Sequence, residues 1–116
     1  MKNKIGSVLV SIKTNNQILD VFKKSKKINI TSGTIWFCKN LNTNQISYAL
    51  LLNKTYFKLA VTRNKIKRQL RNMLINSDLC GGFNVLIKPN TNYLKKEYKE
   101  NETLIIKTIK KLENGK

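Results

Sequence analysis

The chain has 116 residues, enough for one domain around a single modest core and too few for two. It carries 23 Lys and Arg against six Asp and Glu, a formal net charge of +17 without a histidine; an enzyme acting on a neutral small molecule has no use for such self-repulsion, so the expected partner is a polyanion. Cys38 and Cys80 are far apart with no CxxC, which argues against a zinc site or a disulfide framework, and no apolar run nears the ~20 residues of a membrane span.

In chain order, residues 1–11 read as an irregular N-terminal segment of a single domain covering 1–116, and SVLVSI near the N-terminus is too short for the apolar part of a signal peptide. NNQILDVFKK at 15–24 places Ile18, Val21 and Phe22 at i, i+3 and i+4, one stripe of a short helix with Asn15 or Asn16 as N-cap. SKKINITSG then reads as a break. TIWFCK at 34–39 and ISYALLL at 46–52 are rich in β-branched and aromatic residues, and the polar NLNTNQ between them reads as the connection of a hairpin.

A helix is expected from residue 59 to about 76, with Leu59, Ile66, Leu70, Met73 and Leu74 on one face. Arg63, Asn64, Lys67, Arg68 and Arg71 fall on a neighbouring arc of roughly 140° at 100° per residue. Gly81 and Gly82 end that region, FNVLIK at 83–88 reads as a strand closed by Pro89, and Leu94, Tyr98, Ile105, Ile109 and Leu112 recur at helical spacing with a break expected near residues 101–103. The order predicts an α+β sandwich, helices packed on a small β-sheet.

The charge is concentrated in the middle. Residues 21–77 hold nine Lys, three Arg and no acid, whereas residues 78–116 set eight Lys against five acids. Every arginine of the chain, Arg63, Arg68 and Arg71, lies in one nine-residue window, against 20 lysines elsewhere and within it. Lys, Asn and Ile in abundance is what an AT-rich genome imposes on any protein, and it explains much of the lysine. It does not explain the missing acids or the confined arginine. A guanidinium holds phosphate bidentately and stacks on unpaired bases, which an ammonium cannot do. A basic helix face is usually only a solvated face, but this one lacks the acidic i, i+4 partners such faces carry.

Structured RNA is favoured over DNA, because a strand, and not a first helix, precedes the basic helix, so no helix-turn-helix is present. In TIWFCK, Thr34, Trp36 and Cys38 alternate with Ile35, Phe37 and Lys39; one set must meet the core and the other is free to stack bases. Trp36 and Phe22 are the candidates for stacking, and their spacing suits a core role equally. No catalytic residue is expected. There is no histidine for acid/base work, and Glu97, Glu100 and Glu102 sit among lysines, a poor start for a two-metal nuclease.

AVTRNKIKRQLR at 60–71 resembles the signature helix of the bacterial ribonuclease P protein component, A-V-x-R-N-R/K-x-K-R-x-x-R, supplying Ala60, Val61, Arg63, Asn64, Lys65, Lys67, Arg68 and Arg71. ILDVFKKS is similar to the family's F-x-x-V-F-K-x-G segment, with Ile18 for the first Phe and Ser25 where glycine is common, and FNVLIKP resembles the strand after the signature helix. Together these cover roughly residues 12–113. The chain departs from the family where NKTYFKL replaces a K-K-x-G-N run, keeping Lys54 and Lys58 in another register, and where the apolar SVLVS replaces a basic segment.

The resemblance implies an αβββαβα order with a left-handed β-α-β crossover, as in domain 2 of ribosomal protein S5. It implies a role in an endoribonuclease that removes the 5′ leader from precursor tRNA, in which a catalytic RNA with magnesium performs the hydrolysis. The partners implied are that RNA and precursor tRNA, in the cytoplasm, with no membrane, no evident protein partner, and no metal or cofactor held by the protein alone. Lys54, Lys58, Arg63, Asn64, Lys65, Lys67, Arg68 and Arg71 become the implied RNA-binding residues; Ile18, Phe22, Thr34 and Trp36 become the implied leader cleft. The alternatives are a ribosomal or other structural-RNA-binding protein and, less compatible with the missing catalytic groups, an autonomous basic nuclease.

Overall fold

The computed structural model describes residues 9–12, 14–40, 45–76 and 81–114. Nine elements follow in order: β1 (Leu9–Ser11), α1 (Asn15–Lys24), β2 (Lys26–Ile30), β3 (Gly33–Lys39), β4 (Ile46–Leu50), α2 (Ala60–Ile75), β5 (Phe83–Pro89), α3 (Asn92–Lys95) and α4 (Tyr98–Asn114). The expected α+β sandwich is present, with a strand added before the first helix and a short helix before the last.

The five strands form one sheet in the order β1-β4-β5-β3-β2. β4 and β5 are parallel and α2 is the crossover between them, while β5 pairs antiparallel with β3, and β3 with β2. The hairpin expected between TIWFCK and ISYALLL does not form, because β5 lies between those two strands. The reason is legible in β5: Val85, Leu86 and Ile87 are at most 2% exposed, so this strand is buried on both faces and must occupy the centre. Most of the NLNTNQ connection, residues 41–44, lies outside the described residues, as does Cys80.

The hairpin that does form joins β2 and β3, so the stretch read as a break is a strand. β2 places Lys26 and Lys27 on the rim of the sheet, which hides it from hydropathy but suits an edge strand that must not recruit another. Gly33 opens β3 so close to Pro89 that a Cβ there would sit 2.8 Å from the proline Cα. Within the N-terminal segment expected to be irregular, residues 9–11 form β1, parallel to β4; residues 1–8 lie outside the described residues.

One sheet face carries the main core. Ile35, Phe37, Ile46, Tyr48, Phe83, Val85 and Ile87 meet Ile66, Leu70, Met73 and Leu74 of α2 and Ile105 and Ile109 of α4. Leu59, expected on that apolar face, is instead 69% exposed, because it precedes the first helical turn as N-cap and no longer follows the helical repeat. α1 covers part of the opposite face with Ile18, Val21 and Phe22. Its N-cap is Thr14, one residue before the expected asparagines, with Thr14 Oγ1 accepting from the Gln17 amide at 3.2 Å.

The tail breaks at residues 96–97 and α4 runs through 101–103 unbroken. Glu100 accepts from the Glu97 amide at 3.2 Å, the returning half of a capping box that starts α4 there. Asn101, which reads as a helix breaker, is 1% exposed: it accepts from Ser32 Oγ at 2.6 Å and donates to the Tyr93 carbonyl at 3.0 Å, tying α4 to the β2–β3 turn and to α3. Leu94, expected on the apolar stripe, falls in α3 and is exposed.

Candidate nucleic-acid interface

α2 is not built for its own stability. Leu59 offers no side-chain cap, the first turn has no acid, and the like charges Arg63/Lys67, Lys67/Arg71, Lys65/Arg68 and Arg68/Arg71 stand three or four residues apart. Each such pair costs about 0.2–0.5 kcal/mol. The helix persists because Ile66, Leu70, Met73 and Leu74 are buried, at about 1.5–3 kcal/mol each. A cationic ridge is thus held in place by tertiary burial against its own repulsion.

The three arginines lie on the outer side of α2 and have different surroundings. Arg63 is half-buried, and its Nη1 donates to the carbonyls of Phe57 at 2.7 Å and Lys58 at 3.0 Å, so it fastens the β4–α2 connection. Arg71 is exposed, and its Nε donates to the Tyr48 hydroxyl at 3.3 Å, which steadies the guanidinium from below. Arg68 is exposed and has no hydrogen bond or ion pair with a described residue. Asn64, Lys65 and Lys67 are exposed between them, and Lys54 and Lys58 are exposed on the connection before the helix.

On the opposite sheet face, Trp36 and Phe22 meet edge to face, ring centroids 4.8 Å apart at 81°. Both are half-buried, as are Ile18 and Thr34. Core and surface roles are therefore shared. The rings pack with Val21, Ala49 and Leu86 into a small second cluster and still present part of their surface to solvent.

Strand register adds residues that sequence reasoning missed. Trp36 stands opposite Lys27 on one side and Leu86 on the other; Thr34 stands opposite Asn29 and Lys88. Directly opposed side chains share a face. Lys27, Asn29 and Lys88 thus join the Trp36 surface, and Thr34 Oγ1 donates to Asn29 Oδ1 at 3.0 Å. The clue to the first two was the alternation in KKINI, obscured when that stretch is read as a break.

Lys88 also connects the two surfaces. A groove of about 450 Å³ at the carboxyl ends of β4 and β5 is lined by Leu50, Leu51, Leu52, Asn53, Lys54, Arg63, Lys67 and Lys88. It brings together three of the sequence-derived RNA-binding residues, Lys54, Arg63 and Lys67, and does not include Lys58, Asn64, Lys65, Arg68 or Arg71. Four cations and an asparagine around one groove can hold phosphate; an apolar ligand would leave those charges desolvated and unpaired. Among the described residues no group of three or more His, Cys, Asp or Glu is placed to hold a metal ion. Nor is any helix among them long and apolar enough to cross a membrane.

The family model for ribonuclease P matches residues 9–113. The chain is 34% identical over 88 residues to the ribonuclease P protein component of Ureaplasma urealyticum serovar 10, covering 70% of each. It is 32% identical over 78 residues to that of Mycoplasma genitalium, covering 66% of this chain and 60% of the relative. In fold it is similar to the RNase P protein of Thermotoga maritima, with a TM-score of 0.76 at 18% identity over 87% of this chain and 96% of the other. A Staphylococcus aureus RNase P protein mutant gives a TM-score of 0.75 at 19% identity, covering 87% of each chain.

Proposed function

The chain belongs to the family of the ribonuclease P protein component, the partner of an RNA subunit in 5′ maturation of tRNA, and from that premise we propose how its two surfaces divide the work. The α2 ridge, Arg63 to Arg71 with Lys54 and Lys58, lies against phosphates of the catalytic RNA. The Trp36, Phe22, Ile18 and Thr34 surface, extended by Lys27, Asn29 and Lys88, receives the single-stranded 5′ leader of precursor tRNA. The groove at Lys88 carries the strand from one surface toward the other.

One observation supports this reading above the rest: four exposed cations on α2, Lys65, Lys67, Arg68 and Arg71, beside the half-buried Arg63, with no acid in residues 21–77, kept there at a cost to the helix. Such a face lowers the repulsion between two RNA strands that must approach closely. Bases stacked on the half-exposed aromatic surface give affinity that tolerates sequence variation, as a leader shared by many precursors requires.

The protein's own chemistry in this reading is positioning. Hydrolysis in this reading belongs to the RNA subunit acting with magnesium, in a cytoplasmic setting, while the residues of this chain bind and orient the two RNAs. The test is a processing assay with the full chain, ribonuclease P RNA and precursor tRNA at low magnesium. Added protein should restore 5′ cleavage, and the protein without the RNA should cut nothing. Processing unchanged by the protein would instead favour a scaffold role on some other structured RNA.

A further inference from the structure

The segment leading into α2 exposes two apolar side chains that neither the core nor the helix uses. Tyr56 is 51% and Leu59 69% exposed. The turn that presents them is firmly built. Asn53 Oδ1 accepts from the Thr55 amide at 2.7 Å, and the Asn53 carbonyl accepts from the amides of Tyr56 and Phe57. Phe57 is plugged into the core at 1% exposure, while Arg63 holds the Phe57 and Lys58 carbonyls. Tyr56 is thus turned outward on a fixed frame, its ring almost perpendicular to that of Phe57.

Leu59 is the second anomaly. It is the N-cap of α2 and makes no side-chain cap, at a position where Asn, Asp or Ser would stabilise the helix. An exposed leucine in that place serves a partner or nothing. The surroundings choose the partner: Lys54 precedes the pair and Lys58 lies between its two residues, both exposed, and residues 21–77 contain no acid. An apolar protein surface would have to bury those cations, whereas an RNA meets them with phosphate while its unpaired bases offer flat apolar faces.

We propose that Tyr56 and Leu59 form a platform on which an unpaired base of the ribonuclease P RNA stacks beside the α2 ridge. This rests on the reading that the ridge faces that RNA.

The test measures Kd of the full chain for ribonuclease P RNA alone, over a range of salt concentrations, for Tyr56→Ala, Tyr56→Phe, Leu59→Asn and Arg68→Ala. Tyr56→Ala should raise Kd about 5- to 150-fold with an unchanged dependence on salt, because stacking neutralises no phosphate. Tyr56→Phe should recover most of the loss. Leu59→Asn should raise Tm by supplying the cap and yet raise Kd, a combination that a structural role cannot produce. Wild-type affinity in Tyr56→Ala or Leu59→Asn, or a shallower salt slope in Tyr56→Ala, overturns the platform. Arg68→Ala then separates the two readings: if it weakens binding, the ridge stands without the platform, and if it binds as wild type, both fall.

Discussion

Replacing Arg68 isolates the electrostatic and geometric parts of RNA binding, because nothing in the fold depends on its side chain. It is exposed and unpaired with any described residue, and Arg, Lys and Ala differ by only tenths of a kcal/mol in helix propensity. Stability should stay within about 0.5 kcal/mol of wild type. It should even rise slightly, since Lys65 and Arg71 lose a like-charged neighbour. Arg63 would not serve, as its removal also frees the Phe57 and Lys58 carbonyls. A hydrogen bond to a charged group is worth about 1.5–3 kcal/mol, so Arg68→Ala should raise Kd for the catalytic RNA about 10- to 150-fold. It should also lower the slope of log K against log salt by about 0.9 if the phosphate is in a duplex and 0.7 if it is single-stranded. Arg68→Lys keeps the charge and loses the planar fork; the slope should hold while Kd rises about 2- to 10-fold. The assay is filter binding or fluorescence titration from low to moderate salt, with Tm as the control. An Arg68→Lys chain that binds as wild type refutes the guanidinium argument, and an Arg68→Ala chain with wild-type slope refutes the contact itself.

Three further outcomes are expected. Trp36→Ala should weaken precursor tRNA binding more than mature tRNA binding, and it should also lower Tm through the lost contact with Phe22; equal losses on both RNAs would remove the leader from that surface. Lys88→Ala should leave the fold intact and reduce the salt slope for precursor binding by about 0.7, with no change for mature tRNA; an unchanged slope would take the groove out of the leader's path. The free chain should gain Tm as ionic strength rises toward a few tenths molar, because salt screens the ridge's self-repulsion, and a falling Tm over that range would show that the cations are already balanced within the fold.

Local chemistry marked α2 within a residue or so at each end, and it marked the ridge as well. Those features arise from spacing along one helix, where residues three and four apart are neighbours whatever the rest of the chain does. The same holds for the α1 stripe and for the alternation that set Trp36 against Ile35 and Phe37. The family resemblance, too, rested on contiguous residues and could be read without a fold.

Pairing between distant strands could not be read in that way. Adjacent strands with a polar connection look like a hairpin, and only the burial of β5 on both faces shows that it must separate β3 from β4. β2 was hidden because an edge strand needs little hydrophobic surface, and with it went Lys27 and Asn29. Asn101 looked like a break because its solution to burial is a hydroxyl on the far β2–β3 turn. Sequence alone therefore established a basic, lysine-rich domain with its arginines on one helical face. Tertiary structure decided which sheet face stands open beside that ridge, and that Lys88 joins the two, because register across a sheet is set by long-range burial that no window of neighbouring residues contains.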